Sequence, residues 1–361
     1  MKKNNSHGPG AASAEKSARR ILRFLASRKE KISPLFILTH DYPDPDALAS
    51  AFALSHVAQK RFGISTRIAY GGIIGRMENR AMVQILKIPA HRLQSSDFKK
   101  YQHIAMMDTQ PFFENNPFPK NRRAALVVDQ HPFVKKPAAD LAIIDPECGA
   151  TSVILAQVLI QAKMEIPGPV ATALAYGILS DTMNLYRARR MDVVETYLEI
   201  LSHCDLRALA RIQNPVRSKK FFSTLSKAIQ NAASKRGLMA AHLGPVESPD
   251  LVSQITDFLL TYKGVRKVIC TGRYKGKLHV SLRIAKPGVD ASEMLRDVFI
   301  HPGKAGGHDN IAGGSFEVGP RRKGPLALDD PAWDSAEEEL IQRLLKRLRL
   351  PAKGEFYYPF R

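Results

Sequence analysis

Between residues 35 and 163 the chain alternates short apolar, β-branched runs with segments of helical periodicity. This alternation is typical of strand–helix–strand units, which build a parallel sheet with helices on both faces. The predicted strands are Leu35–Leu38, Thr66–Tyr70, Ile104–Met107, Ala125–Val128 and Ala142–Ile144. The predicted helices in and after this stretch are Asp46–Phe62, Arg76–Leu86, Thr151–Lys163, Pro169–Leu185 and Met191–Cys204. We therefore predict an α/β first domain.

A second, smaller α+β domain is predicted after residue 220. The segment Asp205–Lys220 is rich in Arg and Lys and is interrupted by Asn214-Pro215, which indicates a linker. The elements predicted behind it are a helix at Phe221–Ala233, a strand at Leu238–Leu243, a helix at Pro249–Tyr262, strands at Arg266–Arg273 and Lys277–Ile284, a helix at Ala291–Ile300, a glycine-rich loop and a strand at Ser315–Val318. The predicted boundaries are 1–31 for a basic tail and helix, 32–204 for the α/β domain, 205–220 for the linker, 221–322 for the second domain and 323–361 for a C-terminal helical tail.

The N-terminal segment allows two interpretations. Residues 1–13 are small and polar, which predicts disorder, while Ala14–Lys29 has an amphipathic helical pattern with Ala18, Ile21 and Leu25 in its apolar stripe. A basic amphipathic helix can lie on a membrane or on nucleic acid. We favour the other interpretation, in which the stripe docks onto the following domain.

The composition restricts the class of partner. The chain has 54 Lys and Arg against 34 Asp and Glu, a formal net charge of +20. That charge attracts polyanions such as nucleotides, nucleic acid or polyphosphate, although an ordinary solvated basic surface has the same composition. No apolar run reaches the roughly 20 residues that cross a bilayer, so we expect no membrane partner. Cys148, Cys204 and Cys270 match no metal or redox motif, which favours free thiols in the cytoplasm.

Candidate metal ligands follow the ends of the predicted strands. His40, Asp44 and Asp46 crowd one short loop after the first strand, while Asp108 and Asp129 end the third and fourth strands. The carboxyl ends of parallel strands meet at one edge of a sheet, so these side chains should converge there. Carboxylates this close together repel one another unless a cation joins them.

Each acid taken alone also has a purely structural interpretation. Asp44 and Asp46 lie where a helix begins, so they can serve as helix caps. Asp181 lies in an otherwise apolar helical segment, where an ionised carboxylate needs a partner. The presence of all these acids on converging elements favours the metal interpretation. Mixed histidine and carboxylate donors suit Mn²⁺ or Mg²⁺.

Strings around these residues resemble the motifs of DHH phosphoesterases. In chain order they are HDYPDPDALAS from His40, MMDTQ around Asp108, VVDQHP around Asp129 and YGILSDTMNLY around Asp181. In the second domain, Ser281-Leu282-Arg283 and the segment 306–313, GGHDNIAG, resemble the serine–arginine strand and the GGH loop of the associated C-terminal domain. The chain is most similar to the subgroup of nanoRNases and pAp phosphatases. These enzymes degrade very short RNAs and dephosphorylate 3′-phosphoadenosine 5′-phosphate.

The resemblance implies a role for each matched residue of the first domain. One metal ion would be held by His40, Asp44 and Asp108. A second would be held by Asp46, Asp108 and Asp181, so that Asp108 bridges the two ions. Catalytic roles would fall to Asp108, Asp129 and His131, with His131 contacting the scissile phosphate or the leaving oxygen.

The resemblance also implies a substrate-binding role for the second domain. Arg283, Gly306, Gly307 and His308 would bind the phosphate or the terminal nucleotide of the substrate, with the active site in an interdomain cleft. Independently, an Arg fork pairs bidentately with phosphate, and a glycine-rich segment lets backbone N–H groups approach an anion.

One position departs from the family. The third motif of DHH proteins reads Asp-His-His, whereas this chain has Asp129-Gln130-His131. The missing histidine normally ligates the second metal, and a glutamine carbonyl is a harder and weaker ligand for Mn²⁺. We therefore expect two Mn²⁺ ions, with Mg²⁺ as an alternative and with a weak second site.

The function that the resemblance implies is metal-dependent hydrolysis of short oligonucleotides, of 3′-phosphoadenosine 5′-phosphate, or of both. The expected partner is thus a short RNA, DNA or nucleotide substrate, and a homodimer is left open. One rival is a cyclic-dinucleotide phosphodiesterase. Another is a nucleotide- or nucleic-acid-binding protein whose chemistry has weakened, which Gln130 and the +20 charge both permit.

Overall fold

The computed structural model describes residues 14–133, 135–286, 289–299, 305–308, 310–318, 326–327, 330–351 and 355–361, and of His308 the backbone alone. The predicted disorder of residues 1–13 lies outside these ranges. The chain divides into two compact units, Met1–Pro215 and Val216–Arg361. Among the described helices, none combines the length and the apolar character needed to cross a membrane.

The first unit is built on one sheet. Its described strands are β1 (Leu35–Leu38), β2 (Thr66–Tyr70), β3 (Ala90–Arg92), β4 (His103–Met107), β5 (Ala124–Asp129) and β6 (Ala139–Ile144). All neighbours pair in parallel, in the order β3-β2-β1-β4-β5-β6. The carboxyl ends of β1, β4 and β5 therefore lie side by side at one edge of the sheet, where sites form in this architecture.

The two faces of this sheet pack against different numbers of helices. The described helices of the first unit are α1 (Ala14–Ile32), α2 (Pro45–Phe62), α3 (Met77–Leu86), α4 (Asp97–Lys100), α5 (Thr151–Ala162), α6 (Gly168–Asp181), α7 (Met191–Leu201) and α8 (Leu206–Gln213). The face that carries Ile37 and Met107 packs on the long helices, while the face that carries Phe36 packs on Tyr101 and Phe118 near α4. The predicted parallel α/β architecture is confirmed.

The N-terminal helix docks on the first unit. The stripe of α1 that contains Ala18, Ile21 and Leu25 is fully buried in the same core as α5. This confirms the docking interpretation and leaves the basic residues of α1 on its outer side.

Helices α2 and α6 approach closely at Gly177. A Cβ atom at Gly177 would lie 3.2 Å from the Cα atom of Asp46 and 2.4 Å from the Oγ atom of Ser152. The missing side chain therefore lets the two helices that carry Asp46 and Asp181 come together.

Four elements of the first unit differ from the predictions, and one of them is the short helix α4, which was not predicted. Strand β3 was missed because it has only three residues, Ala90-His91-Arg92, of which two are polar and none is buried. The helix predicted at Pro169–Leu185 ends at Asp181, because Met183, Asn184 and Leu185 all have positive φ angles. Helix α8 lies inside the segment predicted as a linker, where its basic face is exposed and Ala208, Leu209 and Ile212 are buried.

The second unit has a mixed sheet between two pairs of helices. Its elements are α9 (Lys219–Asn231), β7 (Ala233–Lys235), β8 (Leu238–Pro245), α10 (Pro249–Leu260), β9 (Lys267–Tyr274), β10 (Lys277–Ile284), α11 (Ala291–Val298), β11 (Ala305–His308), β12 (Ile311–Glu317) and α12 (Ala332–Arg347). The strand order is β11-β12-β10-β9-β8-β7, and only β8 and β9 pair in parallel. Alternate strand residues face α9 and α10 on one side and α11 and α12 on the other. This is the smaller α+β unit that the sequence predicts.

Two segments of the second unit have more structure than the sequence indicates. The glycine-rich segment predicted as a loop forms the hairpin of β11 and β12, so its backbone groups pair with each other. Helix α12 lies in the segment predicted as a helical tail, but it buries Trp333, Leu340 and Leu344 in the core of the unit. The hairpin pairs residues that are close in sequence, whereas the packing partners of α12 come from distant parts of the chain.

Candidate metal centre

The predicted ligands of the first unit converge at the carboxyl edge of the parallel sheet. Asp108 directly follows β4, Asp129 ends β5, and His40 follows β1 by two residues. The structure brings together ligand atoms of three groups, each within 4.8 Å of one another: His40, Asp44 and Asp108; Asp46, Asp108 and Asp181; Asp108, Asp129 and His131. The first two groups are the two ligand sets that the resemblance implies, and Asp108 is common to all three.

Asp108, at the centre of this cluster, has an energetically unfavourable backbone conformation and a buried carboxyl group. Its φ angle is +57°, in the left-handed region, and its side chain is 1% exposed. Its Oδ1 atom accepts a hydrogen bond of 2.8 Å from the Thr151 hydroxyl. Its Oδ2 atom is buried and has no hydrogen-bond partner among the described residues. A buried carboxylate oxygen without a partner is unfavourable, so the residues present fit a bound cation.

His40 and Asp44 complete the first group. The Nδ1 atom of His40 donates to the carbonyl of Asp41 at 2.8 Å, which directs Nε2 toward Asp44 and Asp108, 3.6 and 3.7 Å away. Asp44 also caps α2 by accepting a 2.9 Å hydrogen bond from the Ala47 N–H. The capping interpretation is therefore correct for Asp44 and compatible with a place in the cluster.

Asp46 is held by the start of another helix. It is fully buried, and its two oxygens accept hydrogen bonds of 2.7 Å from the backbone N–H groups of Thr151 and Ser152 at the beginning of α5. The positive end of the α5 dipole stabilises a carboxylate there. Sequence reasoning missed both partners, although two hydroxyl residues at a strand-to-helix junction are an available signal.

Gln130, which replaces the family histidine, lies in the second group. Its amide nitrogen donates to Asp181 at 2.5 Å and lies 3.4 Å from an oxygen of Asp46. In this orientation Gln130 offers N–H groups to the two carboxylates and directs no carbonyl oxygen at them. It ties together the two acids expected to hold the second ion.

His131 is oriented by Asp129 at the edge of the cluster. Its Nδ1 atom lies 2.8 Å from an oxygen of the fully buried Asp129, and its side chain is 50% exposed. The other Asp129 oxygen accepts a 2.7 Å hydrogen bond from Gln110, which also donates to the His131 carbonyl at 2.8 Å. Gln110 was missed by the sequence reasoning, although it ends the MMDTQ string.

The crowded acids perturb one another's protonation. Burial, together with neighbouring carboxylates, raises the pKa of Asp108 and of Asp181 well above the usual range, and that of Asp46 to about 6. Burial opposes charge on His40 too, but Asp44 and Asp108 raise its pKa to about 10. Excess negative charge in a buried space is relieved either by protons or by cations, which is the electrostatic signature of a cation site.

Arg283 in the second unit is more constrained than the sequence indicates. The guanidinium group is buried, and its Nε atom donates to Asp257 at 2.5 Å. Its Nη1 atom donates to Ser281 and to the carbonyls of Leu282 and Ala312 at 3.0–3.2 Å. Among the described residues no hydrogen bond uses Nη2.

The other predicted substrate residues lie beside Arg283 in the sheet. Strand register places Arg283 opposite Ile311, and Ile311 opposite His308, so the three form one row across β10, β12 and β11. Gly306 and Gly307 are exposed on β11, and a Cβ atom at Gly307 would lie 2.2 Å from the Ile311 carbonyl oxygen. The side chain of His308 is outside the described residues.

Comparison with known proteins agrees with this geometry. Residues 34–178 match the model of the DHH family N-terminal domain, and residues 236–348 match that of the DHHA1 domain. An exopolyphosphatase-related protein from Bacteroides fragilis has the same fold, with a TM-score of 0.65 at 14% identity over 95% of this chain and 100% of that one.

Two curated relatives are similar in sequence. An uncharacterized protein of Methanocaldococcus jannaschii is 33% identical over 303 residues, 83% of this chain and 62% of the relative. A probable manganese-dependent inorganic pyrophosphatase of Streptococcus pyogenes is 25% identical over 156 residues, 43% of this chain and 50% of the relative. The chain thus spans between half and two thirds of the length of these relatives. The two domain matches, in the order and over the motifs expected from the resemblance, show that this chain belongs to the DHH family, with a DHHA1 domain following its DHH domain.

Proposed function

We propose that this chain is a metal-dependent phosphoesterase that hydrolyses short oligonucleotides, 3′-phosphoadenosine 5′-phosphate, or both. The observation that carries the proposal is the pair of ligand groups that share Asp108, whose Oδ2 atom is buried without a hydrogen bond from any described residue. Membership of the DHH family supports phosphoryl chemistry at this centre.

We assign two divalent cations to the centre, with Mn²⁺ preferred and Mg²⁺ as the alternative. His40, Asp44 and Asp108 would hold one, and Asp46, Asp108 and Asp181 the other. When bound, such a pair activates a water molecule and neutralises a phosphoryl oxygen. The mixed imidazole and carboxylate donors support Mn²⁺, as does the manganese dependence in the name of the streptococcal relative.

We assign the proton for the leaving oxygen to His131. Asp129 accepts the hydrogen bond from Nδ1, and this bond, with the nearby carboxylates, raises the pKa of His131 to about 9, which favours a ring that also carries a proton at Nε2. The half-exposed ring is accessible to a substrate oxygen, and the buried Asp129 and Gln110 keep its orientation.

The substrate class is supported by charge and by the second unit. A net charge of +20 favours anionic substrates. In the second unit, the Nη2 atom of Arg283, which no described residue engages in a hydrogen bond, suits a phosphate oxygen. β11 is the outermost described strand of its sheet, so the backbone groups on the side away from β12 suit one as well. The resemblance of the motifs to nanoRNases and pAp phosphatases favours a substrate of a few nucleotides.

The test is a Mn²⁺-supplemented hydrolysis panel near physiological salt, because low salt would let the basic surface hold long RNA nonspecifically. It compares a 3-mer and a 24-mer RNA of related sequence with 3′-phosphoadenosine 5′-phosphate, a cyclic dinucleotide and inorganic pyrophosphate. We expect kcat/KM for the 3-mer to exceed that for the 24-mer by at least about tenfold, or roughly 1.4 kcal/mol.

Other outcomes of the panel would replace the proposal. Equal or faster cleavage of the 24-mer would indicate a processive, RecJ-like exonuclease. Preference for the cyclic dinucleotide would indicate a phosphodiesterase of that class. Binding of RNA without any metal-dependent product would indicate a binding protein with weakened chemistry.

The orientation of Gln130 leads to a separate prediction about the affinity for the second cation. Because Gln130 offers N–H groups to Asp46 and Asp181, the native chain should bind a second Mn²⁺ more weakly than the first, and Gln130→His should tighten that second binding step by about tenfold or more. Calorimetric titration of both proteins with Mn²⁺ measures this. Two identical isotherms would mean that the carboxylates suffice and that the substitution is neutral.

A further inference from the structure

An aromatic side chain lies exposed inside the ligand loop of the metal centre. Tyr42 lies between His40 and Asp44, two residues from each, and it is 66% exposed. Its φ angle is +57°, in the left-handed region that a bulky residue rarely adopts. An exposed tyrosine in a strained backbone, next to two proposed ligands, calls for a functional explanation.

The surrounding structure holds this loop in place. The N–H group of Tyr42 donates to the carbonyl of Gly71 at 3.0 Å, and that of Asp41 donates to the carbonyl of Asn115 at 2.6 Å. The buried Asn79 side chain donates to the carbonyl of Pro43 at 3.3 Å. Contacts with Gly71, Asn79 and Asn115, all distant from the loop in sequence, therefore hold the loop. They keep the backbone of Tyr42 in its left-handed conformation.

The ring of Tyr42 is supported from one side. A Cβ atom at Gly72 would lie 2.9 Å from two carbon atoms of the ring, so the ring rests against the Gly72 backbone just beyond β2. Gly72 itself has a φ angle of +70°, which suits glycine. The packed side limits the motion of the ring, while most of its surface remains open to solvent.

Exposed apolar side chains also follow the other ligand segments. Phe133 comes two residues after His131 and is 54% exposed. Met183 and Tyr186 follow Asp181 and are 50% and 86% exposed. Inorganic phosphate offers no surface to such side chains, whereas a nucleobase offers an apolar π-face.

We propose that Tyr42 is a stacking surface for the nucleobase attached to the scissile phosphate, and that this ring makes the centre selective for nucleoside phosphoesters over inorganic pyrophosphate or polyphosphate. The inference rests on the proposed phosphoesterase function and names the part of its substrate that lies beside the metal ligands. Tyr42 would be a specificity-determining residue that acts through substrate binding.

The kinetic test compares a dinucleotide with an analogue that lacks the base beside the scissile phosphate. Tyr42→Phe keeps the ring, and Tyr42→Asn removes it with a residue that tolerates the left-handed backbone. We expect the ratio of kcat/KM values, intact over abasic, to fall about tenfold in the Asn variant through KM, and to be retained in the Phe variant. Tyr358→Asn is the matched control, since Tyr358 is 43% exposed in the second unit and its ring lies under Arg361.

A binding measurement separates this inference from the proposed function. Stacking on Tyr42 should quench the fluorescence of a non-hydrolysable 2-aminopurine dinucleotide in Mn²⁺-containing buffer with the native chain and the Phe variant, and much less with the Asn variant. Ring-dependent quenching without any turnover would refute the phosphoesterase proposal and retain the stacking surface. Turnover with an unchanged ratio in the Asn variant, or no quenching by the native chain, would overturn the stacking proposal.

Discussion

Replacing Asp108 by asparagine should lower kcat/KM for a short oligonucleotide by at least about a thousandfold, which corresponds to roughly 4 kcal/mol of transition-state stabilisation. Asp108 is common to both proposed ligand sets, and its buried Oδ2 atom has no hydrogen bond from the described residues. An amide there removes the charge that both cations need. Asparagine also tolerates the left-handed φ angle of +57° at this position, so the fold should persist.

The measurement pairs steady-state kinetics with Mn²⁺ content and a thermal melt. Asp140→Asn is the control, because Asp140 forms a surface ion pair of 2.7 Å with Arg123, and such pairs contribute little. We expect this control to keep native activity and metal content. Retention of more than about a tenth of native activity by Asp108→Asn would contradict the bridging role.

Arg283→Ala should raise KM for the same substrate by about 30-fold while the Mn²⁺ content stays native. A charged hydrogen bond to phosphate contributes roughly 1.5–3 kcal/mol, which sets the size of the effect. Arg283 lies in the second unit, where Asp257 and three further groups hold its guanidinium, and no hydrogen bond from a described residue occupies Nη2. The proposed metal ligands all belong to the first unit.

Because Arg283 is buried, its replacement could act only by destabilising the fold. The experiment therefore measures both KM and Tm, which respond differently to a substrate-binding role and to a structural role. If Arg283 only stabilises the sheet, Arg283→Ala will lower Tm and leave KM unchanged. Asp257→Asn is the companion variant. It weakens the hydrogen bond that positions the Arg283 guanidinium but leaves the positive charge of Arg283 in place, so it should raise KM by a smaller factor than Arg283→Ala does. Loss of bound Mn²⁺ in Arg283→Ala would contradict a substrate-binding role.

Elements with a strong local pattern were predicted with accurate bounds. Strands β1 (LFIL) and β2 (TRIAY) have the predicted ends, because each is a short run rich in apolar and β-branched residues that begins directly after Pro34 or Ser65. Strand β3 was not predicted because its short sequence contains no apolar pattern typical of a strand. It is a strand because its backbone pairs with β2. Likewise α8, whose sequence is basic, owes its place to three buried residues that pack on the first unit.

The candidate metal centre likewise has features that the local sequence predicts and features that only tertiary contacts decide. Their positions at strand ends predicted that His40, Asp44, Asp46 and Asp108 would meet, because parallel strands bring their carboxyl ends to one edge. Asp181, on a helix, was added to this group by its costly burial as a lone acid and by the resemblance. The hydrogen-bond partners of these residues could not be predicted in that way. The amides of Thr151 and Ser152 reach Asp46 across 105 and 106 residues.

The sequence by itself therefore determined the parallel architecture, the family and the set of candidate ligands, because periodicity and motif spacing are local properties of the chain. Only the tertiary structure decided that Gln130 turns its N–H groups toward Asp46 and Asp181, that Gln110 and Asp129 orient His131, and that Gly72 supports Tyr42. Each of these depends on distances between segments far apart in sequence. Such distances are set by how whole helices and strands pack, and no local pattern encodes them.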